Sequence, residues 1–353
     1  MKPTYEICVV HGDGIGPEVG SATVRVLEAA FGGTLPLHFS EHPAGAQHFL
    51  KTGESFPRET FEACRAADAI LHGAAGMPGV VHPDGTEAGL DFTLTLRSKL
   101  DLYANVRPIK LLPGVRSPLR DAGAIDYVIV RENSEGLYAA RAAGTLLRGE
   151  VAVDPLVQTR SGIERIVHFA FELARSRGGA PRDGRRRVTC CDKANVLRSY
   201  AFFRSVFDEV AAQYPDVEAE HVLIDAITVH LINRPSHYDV IVTENMFGDI
   251  TSDLGAATIG GMGHVTICRT RRWQRLLSGV AWIGSRYRRQ GNSQSLRNGA
   301  DLSSDAELAW PASCRPAAGR GSGSYRGGRN LCSRRQIGLE PGSRRDGRLS
   351  GDH

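Results

Sequence analysis

The chain has 353 residues, of which 41% are hydrophobic and 23% charged, with a net charge of +4. That length allows two domains and a sizeable core, and the composition excludes a disordered or collagen-like chain. No apolar run approaches the roughly 18 residues of a membrane span, the opening Met1–Val10 has no signal-peptide layout, and seven cysteines without framework spacing fit a reducing cytoplasm better than a disulfide scaffold.

Tyr5–Val10 alternates and is β-branched, so it predicts a strand. His11-Gly-Asp-Gly-Ile-Gly-Pro-Glu18 is a glycine turn, with Pro17 placed to begin a helix over Val19–Phe31. Leu37–Ser40 is a strand, Arg58–Ala66 a helix, and Asp68–His72 a strand ending in the loop Gly73–Gly79. This order predicts an α/β layer fold with a largely parallel sheet. Phe92–Leu100 reads as a helix, and Leu102–Val106 and Ile125–Val130 as strands. Thr159–Ser176 is a long amphipathic helix, and Arg182–Arg187 a solvated basic turn. Arg187–Cys191 is a strand, in which Cys190 and Cys191 are packing residues. Val196–Gln213 is a helix, Ala219–Ile224 a strand, Asp225–Asn233 a helix and Val240–Thr243 a buried strand.

The strand at Val240 runs through a short turn into Phe247-Gly-Asp-Ile-Thr-Ser-Asp253. Asp249 and Asp253 are four apart and share one helix face. Two carboxylates there repel each other unless a cation sits between them, and oxygen ligands suit Mg²⁺ or Mn²⁺. A solvated acidic face is the ordinary alternative, but ligand sites in α/β sheets lie at the carboxyl ends of strands. Asp225 follows a strand directly and would be a third metal carboxylate. Arg97, Arg107 and Arg131 follow or end apolar segments; converging, they would clamp a substrate with two or three carboxylates. Tyr138 would be a proton donor. Lys193, just past a strand and near other cations, would be a base. Taken singly, each also has an ordinary surface or packing role. The spacing in Gly12-Asp-Gly-Ile-Gly16 is not Gly-x-Gly-x-x-Gly, so the first unit is not a standard Rossmann domain.

Together these pieces resemble the β-decarboxylating dehydrogenases, a family that includes isopropylmalate, isocitrate, homoisocitrate and tartrate dehydrogenases. The matching stretches are Gly12–Glu18, Leu96-Arg-Ser-Lys-Leu-Asp-Leu-Tyr-Ala-Asn-Val-Arg-Pro108, Val130-Arg-Glu-Asn-Ser-Glu-Gly-Leu-Tyr138, Asp192-Lys-Ala-Asn195 and Phe247–Asp253. The resemblance spans residues 5–263. It implies a three-layer isopropylmalate-dehydrogenase-like α/β fold. A large cofactor domain would be built from 1–99 and 252–263, and a small substrate and dimerisation domain from 100–251. It implies that Arg97, Arg107 and Arg131 hold the carboxylates of a 2-hydroxy di- or tricarboxylic acid, and that Asp225, Asp249 and Asp253 bind Mg²⁺ or Mn²⁺. Lys193 would assist deprotonation of the hydroxyl as hydride leaves for NAD, and Tyr138 would protonate the enolate left by CO₂. Ile15 and Asn195 would lie toward the cofactor. Lys193 and Asp225 would come from the partner subunit, so the active form would be a homodimer in the cytoplasm, with no membrane or nucleic-acid partner. The substrate expected is 3-isopropylmalate, of leucine biosynthesis, with tartrate, isocitrate or homoisocitrate as alternatives. Thr93 and Leu94 supply only half of the apolar patch expected for the isopropyl group.

The resemblance stops after Gly263. Residues 264–353 hold 17 Arg, no Lys and 6 acidic residues, a net of +11, against −7 for residues 1–263. A basic tail suggests a nucleic-acid arm, but this one has no zinc-ligand spacing, helix-turn-helix pattern or aromatic platform. Missing from it is the family's His-Gly-Ser-Ala-Pro-Asp loop for the adenosine end of NAD. Displaced by one nucleotide, permitted codons for Ala281–Asn292 read His-Gly-Ser-Ala-Pro-Asp-Ile-Ala-Gly-Lys-Gly, and the forced TGG of Trp282 fits. The sequence therefore predicts a frameshift near Gly263–His264, a disordered aberrant tail over 264–353, and weak NAD binding. The residues that would choose NAD over NADP lie in the lost segment.

Overall fold

The computed structural model describes residues 4–31, 35–82, 85–139, 143–261, 263 and 267–270, with the backbone of 266 and of 275–279. Strand β1 (Tyr5–Val10) pairs in parallel with β2 (Leu37–Glu41) on one side and β3 (Ala69–His72) on the other. Helices α1 (Gly16–Phe31) and α3 (Arg58–Ala66) make the crossovers. Cys8, Val9 and Val10 are wholly buried, because a parallel sheet is covered on both faces.

A second set of strands runs β4 (Ala104–Lys110), β5 (Asp126–Glu132), β10 (Val240–Thr243), β8 (Arg187–Asp192), β9 (Glu218–Leu223). All its pairs are parallel except β4 with β5. Helices α5 (Arg160–Ser176) and α6 (Arg198–Ala211) pack on Val128, Val130, Val188 and Val240. Helices α7 (Ile224–Asn233) and α8 (Asn245–Thr258) pack on Tyr127, Ile129 and Ile241. Alternate residues of β5 thus feed two different cores, as a two-residue side-chain period requires. The result is the expected three-layer α/β arrangement.

Two strands join the sets. β12 (Arg275–Gly279) runs parallel to β3 and antiparallel to β11 (Thr266–Thr270), which pairs antiparallel with β4. The sheet is therefore ten-stranded, in the order β2-β1-β3-β12-β11-β4-β5-β10-β8-β9. This corrects the expected disordered tail for residues 266–270 and 275–279. The physical reason is that β3 and β4 each offer an unpaired edge, and strand pairing needs only backbone N–H and C=O groups. The rest of that expectation falls on 280–353, outside the described residues. The sequence pattern also predicts no β6 (Thr145–Leu147) and β7 (Val151–Val153), a separate hairpin whose residues are all exposed. The basic turn is solvated at Arg182–Arg186 as expected, whereas Arg187 is buried among Asp183, Glu218 and the His237 carbonyl.

The glycine turn has a packing use. A Cβ on Gly12, whose φ is 68°, would stand 2.1 Å from the Ala74 carbonyl oxygen. Two βα turns meet there backbone to backbone. Asp13, fully buried, then accepts from the backbone N–H groups of Ala46 (2.8 Å), Gln47 (2.9 Å) and Gly76 (2.9 Å). It thereby fixes the start of helix α2 (Ala46–Thr52) from 33 residues away. Asp13→Ala would strand three buried donors at about 1–3 kcal/mol each, so a loss of at least about 3 kcal/mol is expected in urea unfolding. A loss below about 1 kcal/mol would show that water replaces the carboxylate.

Candidate active site

Arg131 on β5 stands opposite Asn105 of β4, and Arg107 lies two residues along from Asn105. In an antiparallel pair this puts both guanidinium groups on one face, the face that α8 covers. Arg131 is almost wholly buried, and its Nε and Nη2 donate to Asn245 Oδ1 at 2.9 and 2.7 Å. Its Nη1 pairs with Asp249. A Cβ on Gly248 would lie 2.6 Å from the Arg131 side chain, so the glycine before Asp249 lets α8 rest on that arginine. Arg107 Nε donates to Asn105 Oδ1 at 3.1 Å, and its Nη2 and Nη1 reach Asp249 at 3.5 Å and Asp253 at 3.8 Å.

Helix α4 (Asp91–Lys99) brings Arg97 to the same group. Burial pulls its pKa down to about 9, and the charges of Arg131 and Arg107 add to the effect. Arg107 falls to about 10, by burial and by Arg131. The Tyr138 hydroxyl makes a 3.5 Å contact to Asp249 Oδ2, and the Arg131 guanidinium lies 5.6 Å from its ring centre. Burial, then the Asp249 charge, holds that phenol above its ordinary value. Burial, with Asp249 nearby, likewise raises Asp253. Cations poor in counterions, beside two partly exposed carboxylates, form a pocket suited to an anionic ligand and a divalent ion.

Sequence reasoning missed Arg269. It enters from β11, is buried, and donates from Nη1 to His72 Nε2 at 2.7 Å. Burial and the charges of Arg97, Arg107 and Arg131 drive its pKa well below the arginine value. No pattern marks it, because it lies in the stretch where the sequence departs from its expected course. His72 is itself buried, with Nδ1 donating to the Gly73 carbonyl at 2.9 Å. Burial first, then Arg269, pulls its pKa to about 3. An unfolded histidine binds a proton below about 6.5 and the native one does not. His72 therefore supports the fold fully above about 6.5 and loses that contribution as pH falls toward about 3. His72→Gln should flatten the acid-side fall in unfolding free energy, a term on the order of 4 kcal/mol. Unfolding curves at pH 7, 5 and 4 check this, and parallel slopes in both proteins would refute it.

The remaining candidates stand elsewhere. Lys193, just after β8, donates from Nζ to Asp225 Oδ1 at 2.6 Å, and Asp225 opens α7. That hydrogen bond is the main cause of a lowered Asp225 pKa. The neighbour of Lys193 is thus a carboxylate, where cations were expected. Among the described residues of one chain, no three His, Cys, Asp or Glu side chains come close enough to hold a metal. Asp225 does not join Asp249 and Asp253. Asn195 is exposed and Ile15 half-buried in the glycine turn.

A family model described as isocitrate/isopropylmalate dehydrogenase matches residues 6–274. A 3-isopropylmalate/3-methylmalate dehydrogenase of Methanocaldococcus jannaschii is 44% identical over 260 residues, 73% of this chain and 72% of that one. A 3-isopropylmalate dehydrogenase of Clavibacter michiganensis subsp. michiganensis is 43% identical over 268 residues, 74% of each. Among solved structures, an isocitrate dehydrogenase from Methylococcus capsulatus is similar with a TM-score of 0.69 at 33% identity, covering 80% of each chain.

Proposed function

The chain belongs to the isocitrate/isopropylmalate dehydrogenase family, and from that premise we propose that its site is built for NAD-dependent oxidative decarboxylation of a 2-hydroxy acid with a β-carboxylate. The substrate that fits best is 3-isopropylmalate, the acid named in its relatives. The observation that carries this reading is the meeting of Arg97, Arg107 and Arg131, from three separate elements, beside Asp249 and Asp253 on one helix face.

In this reading the three arginines hold the substrate carboxylates, which relieve the mutual repulsion of the buried cations. Asp249 and Asp253, with Asp225 of a second copy, hold Mg²⁺ or Mn²⁺; oxygen donors, partly exposed on one face, fit such an ion. A bound divalent ion would polarise the 2-hydroxyl oxygen, and NAD would supply the hydride acceptor. Lys193 Nζ assists removal of the hydroxyl proton. The Tyr138 hydroxyl returns a proton to the carbon that loses CO₂. Ile15 and Asn195 serve the nicotinamide end; the segment expected at the adenosine end lies outside the described residues.

A homodimer belongs to the same proposal. An isolated two-stranded hairpin is marginal in water, yet β6–β7 exposes Leu146, Leu147, Val151 and Val153, while α7 exposes Val229 and Ile232 and α8 exposes Ile250. A second copy covering these apolar residues would also deliver Lys193 and Asp225. A cytoplasmic location is consistent with the five described cysteines, all free and buried. No helix among the described residues is long and apolar enough to cross a membrane.

One observation favours a second reading. Thr93, buried one helical turn before Arg97, has a hydroxyl with no partner among the described residues. A substrate with a polar group there, such as tartrate, isocitrate or homoisocitrate, would satisfy it. The deciding experiment supplies each acid with NAD and Mn²⁺ to the chain as written and to a version with the reading frame restored after Gly263. Reduction of NAD with 3-isopropylmalate at the highest kcat/KM is expected. If no acid of the panel is oxidised by the restored protein, the reading fails.

A further inference from the structure

We infer that a working form of this site carries no cation at position 269, and that Arg269 stands there because the chain is read one nucleotide out of frame from near Gly263 onward. The inference rests on the pocket of the proposed function and asks what that pocket tolerates. Arg269 is only 5% exposed, its Nε has no described partner, and its Nη1 meets a histidine whose pKa of about 3 leaves it neutral. It is repelled by Arg97, Arg107 and Arg131. A buried cation among other cations is among the costliest features a fold can hold, and the carboxylate that acts on Arg269, Asp249, is already paired with Arg131 and near Arg107.

The genetic code makes the point independent of unknown silent bases. Arg269 is encoded by CGN or AGR, and Thr270 begins with A. Displaced by one nucleotide, position 269 reads GNA, which is Val, Ala, Glu or Gly and never a cation. Cys268 is TGY followed by C or A, so position 268 reads Val or Ala. Both are apolar, as a site only 2% exposed wants. The displaced frame therefore removes the buried cation and leaves the neighbouring core position apolar, whichever codons are used.

Composition supports the same cause. The 17 arginines without a lysine over 264–353 fit displaced GC-rich codons, which become CGN triplets.

The nucleotide sequence tests this directly. Translated one nucleotide out of register from codon 264, the gene should stay open and yield a segment resembling the relatives as closely as residues 6–263 do. A stop within that frame, or a translation unlike the relatives, overturns the inference. A protein arm reads the charge alone, by thermal midpoints of the chain as written and of Arg269→Ala, with and without sulfate. The variant should melt higher without sulfate, and sulfate should raise the chain as written by more. A variant that melts lower without sulfate would make Arg269 part of the site and overturn the inference. If the displaced frame matches the relatives but the restored protein oxidises no acid of the panel, the substrate reading falls and this inference stands.

Discussion

Asp249→Asn in the frame-restored protein is expected to lower kcat by about 10³-fold or more and to weaken Mn²⁺ binding, with the fold kept. Asp249 sits where three groups meet: it pairs with Arg131, reaches Arg107 at 3.5 Å and touches the Tyr138 hydroxyl. Asparagine keeps an oxygen that can accept from Arg131, so the packing of α8 on β5 survives. What goes is the charge. That removes an ion ligand, and it also leaves Arg97, Arg107 and Arg131 with Asp253 as their nearby carboxylate. The two losses separate experimentally. Loss of the ligand shows in direct Mn²⁺ titration. Loss of the counterion shows as a thermal midpoint that falls at low ionic strength and recovers with sulfate, because anions then fill the pocket. If Mn²⁺ affinity and kcat both stay within about twofold of the parent, Asp249 is a structural partner of Arg131 and not an ion ligand.

The fold was legible where one local rule was enough. Tyr5–Val10 and Arg58–Ala66 carry the strand and helix periods unbroken, and both elements fall where that pattern puts them. The strand expected over Leu102–Val106 instead spans Ala104–Lys110 and runs through Pro108. Proline reads as a stop in sequence, yet Pro108 keeps its register opposite Val128 because pairing continues on either side. Helix α2 was invisible because its N-terminal donors are satisfied by Asp13, far away in sequence. The β6–β7 hairpin was invisible because all its side chains face outward and leave no alternation to read. Strands β11 and β12 were missed for another reason: the expectation there came from a broken resemblance, while pairing was decided by two open edges.

The site follows the same division. Arg131 and Asp249 were readable because one lies at the close of β5 and the other in the opening turns of α8, at one end of the sheet, where topology gathers side chains; Arg107 lies in the middle of β4 and was marked by the apolar segment before it. Arg269 was not, since its position depends on β11. Lys193 and Asp225 were readable as a pair of reactive types, but no spacing rule tells whether a pair serves its own chain's site. Geometry answers in part, because the two bond to each other, away from Asp249 and Asp253.

That separation leads to the sharpest test of the proposed dimer. Lys193→Ala and Asp249→Asn, each in the frame-restored background, should be inactive alone, and unfolding and refolding them together in equal amounts should recover about 25% of parental activity. In a shared site, Asp249 and Asp253 belong to one chain, and Lys193 and Asp225 to the other. A hybrid dimer then has one site with both defects and one site with none, so it works at half the parental rate. Random pairing makes half of the dimers hybrids, which sets the recovery. If instead each chain used its own Lys193, every site in every dimer would carry one defect and mixing would recover nothing. The exposed apolar residues of β6–β7, α7 and α8 extend the test. Leu146→Asp should lower both the dimer fraction in sedimentation and the recovered activity, since the lysine then has no route to the site it serves. Full activity in a monomeric Leu146→Asp variant that keeps both Lys193 and Asp249 would separate the apolar surface from catalysis and return Lys193 to its own chain.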